Sequence, residues 1–135
     1  MWTPLCLANL ATAYSQLGQF DDAWRCIGEA TTEVETTKGG WFEAEVHRIA
    51  GEIARRMPDQ EKAEVSFERA LAVARQQQAK SWELRAAMSM ARLWRDQRKP
   101  DEARDLLAPV YGWFTEGFDT LDLKEAKGLL DELGA

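Results

Sequence analysis

Two cysteines, Cys6 and Cys26, and a single histidine, His47, are all the thiol and imidazole groups that this chain of 135 residues holds. A disulfide framework and an ordinary four-ligand zinc site are therefore excluded. No run approaches the ~18 consecutive apolar residues of a transmembrane helix, so no membrane partner is expected. Walker-type glycine loops, GxGxxG, HExxH and GxSxG are absent as well, and with them the usual signatures of phosphate, dinucleotide, metalloprotease and hydrolase chemistry. A Cys–His or Ser–His pair would have to use His47 with Cys6 or Ser15, and no third group is in evidence to orient either pair. The expectation is a non-catalytic chain with no cofactor and no metal. The start, MWTPLCLANLATAY, lacks the cationic opening of a secretory signal and runs straight into a helical pattern, which reads as cytoplasmic.

Strand signals are missing too: no period-2 β-branched run occurs, and the apolar residues recur at helical spacing almost throughout. The fold class is all-α. A net charge of -6 repels polyanions at long range and argues against direct nucleic-acid or anionic-membrane binding.

The helices group into hairpins. The first is expected at about 4–37, with Thr3 as N-cap, Pro4 in the first turn and Gly18 at the break. Gly28, inside its second helix, hints at close helix packing. Lys38-Gly39-Gly40 separates it from a second hairpin at about 41–78, broken internally at Pro58. Ser81 is a candidate N-cap for the third, at about 81–117, in which Pro109 falls inside the returning helix and predicts a kink that brings Trp113 and Phe114 to the last helix. That last helix, at about 120–133, is capped by Asp119 or Thr120 and buries Leu123, Ala126, Leu130 and Leu133. Asp122, Lys124, Glu125, Lys127, Asp131 and Glu132 make its outer face polar.

The hairpins repeat. Ala23, Ala63 and Ala103 stand at intervals of 40, followed by Ile27, Phe67 and Leu107 and by Ala30, Ala70 and Val110. On the first helices Leu10, Ile49 and Met90 correspond, as do Ala11, Ala50 and Ala91, and Tyr14, Ile53 and Trp94, at intervals of 39 and 41. A hairpin cannot bury its apolar stripe alone, so copies must stack as one domain over residues 1–135.

A large, a small and a large or aromatic residue on the first helix, then alanine, large, alanine on the second, resembles the tetratricopeptide (TPR) repeat. Tyr14 to Ala23 and Trp94 to Ala103 are the closest matches. The interval exceeds the usual TPR length of about 34, so this looks like a long variant; a HEAT-like repeat, at about 40 to 47, is the alternative. In particular GQFDDAW, EAEVHRIAGEIA and the C-terminal LLAPVYGWFTEGFDTLDLKEAKGLLDEL resemble the C-terminal region of bacterial class III adenylate/guanylate cyclases and of ATPase-type transcriptional regulators. Two departures stand out: the second repeat lacks the turn glycine, and Arg98 takes its place in the third.

The resemblance implies a right-handed superhelix of three TPR-like hairpins plus a capping helix, acting as a scaffold that binds a peptide or partner protein on its concave face. It also implies, as the other reading, the regulatory segment of a multidomain cyclase or regulator. By position the concave face takes in Asn9, Thr12 and Gln16, then His47, Arg48, Gly51 and Arg55, then Arg85, Met88, Ser89, Arg92 and Arg95. Its arginines either form a basic groove for an acidic peptide, since guanidinium offers carboxylates a bidentate fork, or cover apolar surface and pair with Glu45, Glu52 and Glu83. The six tryptophans are expected mostly in the core or between repeats. Leu5, Leu7, Trp24 and Ile27 are expected to be partly exposed at the uncapped N-terminal hairpin. The isolated chain is therefore expected to self-associate there or to be part of a longer solenoid.

Overall fold

A computed structural model describes residues 4–36, 43–57, 59–115 and 120–134. The described residues form helices α1 (Pro4–Gln16), α2 (Phe20–Thr36), α3 (Glu43–Arg56), α4 (Gln60–Gln76), α5 (Lys80–Asp96), α6 (Pro100–Trp113) and α7 (Leu121–Gly134), with no strand among them. Thr3, Gly39, Gly40, Trp41, Pro58 and Asp119 lie outside the described residues.

Three hairpins, α1/α2, α3/α4 and α5/α6, each pack their two helices together. The first helices also pack in sequence, α1 on α3, α3 on α5 and α5 on α7, whereas α2, α4 and α6 make no mutual contacts among the described residues. The result is one continuous layer of first helices, in which α7 takes the place of a fourth, and an outer row of second helices. Ala23, Ala63 and Ala103 are fully buried, and Ile27, Phe67 and Leu107 fill the space beside them. The small residues let the helices approach while the large ones exclude voids.

The tightest approach is at Gly51. A Cβ there would lie 2.4 Å from Cε1 of Phe67, which is itself fully buried. Gly28 has open space where its Cβ would be, so the close packing expected at Gly28 occurs at Gly51 instead.

The turns share one hydrogen-bond pattern. Gly18 N–H donates to Ser15 O at 3.1 Å and Gln19 N–H to Tyr14 O at 2.9 Å. Arg98 and Lys99 repeat this onto Arg95 and Trp94, and Gln78 and Ala79 onto Arg75 and Ala74. Gly18, Gln78 and Arg98 are left-handed, with φ of 79°, 55° and 63°. Arg98 thus adopts the glycine geometry at a cost of about 1–2 kcal/mol. The left-handed turn at Gln78 starts α5 at Lys80, with Ala79 in the N-cap position and no side-chain cap. Ser81 therefore lies inside the first turn and is not the N-cap. Asp59 does cap α4, accepting from Lys62 N–H at 3.1 Å.

Other local expectations change. Helix α6 runs through Pro109, an exposed residue, to Trp113. Trp113 lies by Lys80 at the α4–α5 turn, its ring centroid 5.5 Å from Nζ, rather than on α7, while Phe114 packs against the cluster containing Leu123 and Leu129. In α7 the inward stripe is Leu123, Ala126, Leu129 and Leu133, with Leu130 only partly buried. Leu7 and Ile27 are buried, against the expectation of partial exposure on the first hairpin, while Trp24 is half-buried and so partly exposed as expected; the side chain of Leu5 lies outside the described set.

Gly51→Ala should destabilise the fold by about 1–3 kcal/mol through overpacking, and Phe67→Leu in the same chain should recover part of the loss, both read from urea unfolding midpoints. A second expectation concerns the thiols. Cys6 is exposed and Cys26 buried, and burial, with Glu29 adding to it, pushes the Cys26 thiol up. Because the thiolate is the reacting species, a maleimide at mildly alkaline pH should label one cysteine in the native protein, Cys6, and Cys26 only after unfolding; equal rates would contradict this.

Candidate functional site

The first-helix layer collects most of the side chains singled out in the sequence. Asn9 and Gln16 are exposed on α1, and His47 is half-buried on α3 with Nε2 3.8 Å from a Glu43 carboxylate oxygen. Met88 is only 2% exposed and Ser89 and Gly51 are also buried. Their positions on the inward side of tightly packed helices remove them from any ligand-facing surface, which corrects the expectation for Met88.

The arginines of this layer are organised in two rows that cross from α3 through α5 to α7. In the first row Glu45, 3% exposed, is shared between two guanidinium groups. Arg48 Nε donates to its Oε1 at 2.6 Å, Arg48 Nη2 donates to the same oxygen, and Arg85 Nη1 donates to Oε2 at 3.4 Å. Arg85 Nε reaches on to Asp122 Oδ2 at 3.1 Å, and Arg48 Nη1 to the buried Ser89 hydroxyl at 3.4 Å. Burial acts to lower the Arg85 pKa, but the facing carboxylates of Glu45 and Asp122 outweigh it and raise the pKa above its ordinary value.

The second row is centred on Asp96. Arg55 Nη2 donates to Asp96 Oδ2 at 3.0 Å, Arg95 Nε to Oδ1 at 3.2 Å, and Arg95 Nη1 reaches Glu132 Oε2 at 3.2 Å. Between the rows Arg92 Nη2 donates to Glu125 Oε2 at 3.5 Å. Here the carboxylates are open to solvent, Glu125 by 44% and Glu132 by 57%.

The partners differ from those expected. Glu45 and Glu52 do face the arginines, Glu52 at 3.6 Å from Arg55, but Glu83 is held by Arg75 and Lys80. Glu125 and Glu132 are exposed, as expected of the outer face of the last helix, and with the half-buried Asp122 they oppose Arg92, Arg95 and Arg85. Sequence held a usable signal for this: Arg85–Asp122 and Arg95–Glu132 share a separation of 37 residues, close to the repeat interval. The final helix thus presents to α5 an acidic helical face of the kind expected of an outside ligand.

Ser15 Oγ donates to Thr12 O at 2.7 Å and accepts from Arg56 Nη1 at 3.0 Å, so its partners are not His47. Among the described residues no group of three or more His, Cys, Asp or Glu side chains could hold a metal ion, and no helix is long and apolar enough to cross a membrane. Comparison of the chain with protein-family models, with curated proteins and with solved structures found no match.

The buried and the solvated pairs should respond differently to truncation. Arg48→Ala removes charged hydrogen bonds from a buried carboxylate and should cost about 1.5–3 kcal/mol, whereas Arg92→Ala breaks a solvated pair and should cost less than about 1 kcal/mol. Chemical denaturation of the two variants beside the parent chain checks the contrast.

Proposed function

We propose that this chain is a non-catalytic protein-interaction scaffold of TPR-like type, three hairpins in a right-handed superhelix closed by α7, and that it binds an acidic peptide segment on its first-helix layer. The repeat register supports the architecture: equivalent alanines are buried in every hairpin, and α1, α3, α5 and α7 pack in succession. One observation carries the binding reading. Arg55, Arg92 and Arg95 are the partly exposed cations of the layer whose partners, Asp96, Glu125 and Glu132, are themselves largely open to solvent.

Ion pairs of that kind contribute at most about 1 kcal/mol each. An incoming carboxylate can replace them with little loss, because each is a single hydrogen bond and a guanidinium can donate to the newcomer through a bidentate fork. Arg48 and Arg85 have a different part, because releasing them would strand the buried Glu45 charge. They hold α3, α5 and α7 in register, and the ligand-facing set narrows to Arg55, Arg92 and Arg95 with Asn9, Gln16 and His47 alongside. The net charge of -6 makes a nucleic-acid ligand a poor match. A reducing cytoplasm suits two cysteines that form no disulfide.

The test is fluorescence anisotropy with a labelled Asp/Glu-rich peptide. Binding should weaken at least about tenfold in Arg92→Ala/Arg95→Ala, given the strength of charged hydrogen bonds, and should fall as salt rises through screening. Arg25→Ala, at an exposed position on α2, should bind as the parent does. Equal affinity of the parent and the double variant would remove this reading.

A further inference from the structure

On a different part of the molecule, the C-terminal end of α4, the start of α5 and the end of α6 border a half-open cavity of about 600 Å³ lined by Arg75, Lys80, Ser81, Glu83, Trp113 and Phe114 among others. Its size falls within the range of small-molecule sites, roughly 300–1,000 Å³. We propose that this cavity binds a small organic monoanion, a carboxylate carried on a flat apolar body.

The apolar half of the recognition comes from two rings. Trp113 is 57% exposed, the most exposed aromatic side chain among the large hydrophobics of the described residues. It stands edge-to-face to Phe114, with centroids 5.2 Å apart and an interplanar angle of 87°. A large indole left open beside a second ring is a ready surface for a flat ligand, because covering it removes apolar area from water and adds aromatic contact.

The charged half comes from an imbalance. Glu83 is buried, and both cations of the cavity converge on it: Arg75 Nε at 3.3 Å from Oε2 and Lys80 Nζ at 3.2 Å from Oε1. Among the described residues two positive groups therefore share one negative one, leaving a single positive charge unmatched. Arg75 uses only Nε on Glu83 among the described residues and is 54% exposed, so its terminal amines remain to donate to an anion. Lys80 Nζ is also 5.5 Å from the Trp113 ring centroid, which places the charge and the indole within reach of one small molecule. A monoanion balances the site. A phosphate dianion would bring one negative charge too many beside Glu83 and has no body for the rings to cover.

Equilibrium dialysis of the full chain against 2-naphthoate, its neutral isostere 2-naphthamide, and inorganic phosphate tests the proposal. Saturable binding of 2-naphthoate is expected, at least about tenfold tighter than the amide, from the charged hydrogen bonds that the carboxylate adds. Arg75→Gln and Trp113→Ala alter exposed side chains, should keep the native circular dichroism spectrum, and should each lose most of the binding. Arg92→Ala, in the first-helix layer, should keep it, which separates this site from the peptide-binding face. The proposal is overturned if the parent chain does not bind 2-naphthoate saturably, if the amide or phosphate binds equally well, or if either cavity variant, still folded, binds as the parent does.

Discussion

Helices in this protein come together where side chains are smallest, and the rest of the structure follows from that close approach. Ala23, Ala63 and Ala103 vanish from the surface in all three hairpins, and at Gly51 even a methyl group would collide with the ring of Phe67. Contacts at that distance are what allow Ile27, Phe67 and Leu107 to reach across to the neighbouring helix.

Charge is then sorted by depth. Glu45 and Glu83 are buried carboxylates, each held by two cations, since an uncompensated buried charge would cost several kcal/mol. Asp96, Glu125 and Glu132 sit in solvent, where the same pairings contribute little. The deep pairs fix how the helices sit against one another, and the shallow pairs leave a surface that can change partners. A protein with a net charge of -6 can thereby concentrate guanidinium groups on one layer, because α7 brings the neutralising carboxylates with it.

Much of the fold is legible in the sequence. The hairpin limits follow from helical periodicity interrupted by Gly18 and by polar breaks, and the helices end within a few residues of the expected positions. The misplaced details have identifiable causes. Ser81 has cap chemistry, but the left-handed backbone at Gln78 starts the helix at Lys80 and leaves no place for a cap there. Gly28 and Gly51 look alike in one dimension, and only the neighbour opposite, open space or Phe67, tells them apart. Met88 lies beside the arginines in helical projection yet points into the core, because a helix packed on both its hairpin partner and the next first helix has a narrow exposed stripe.

By itself the sequence determined the all-helical class, the hairpin interval and the positions of the alanines, since each depends on local periodicity and residue size. The tertiary structure decided which carboxylate answers which arginine across the first-helix layer, because those pairs join residues 33 to 41 positions apart, as in Arg92–Glu125 and Arg55–Asp96. It likewise decided that Trp113 and Phe114 form a wall of a cavity with Arg75 and Lys80. Neither result is written in any single helix, for each arises where the ends or faces of three different helices meet.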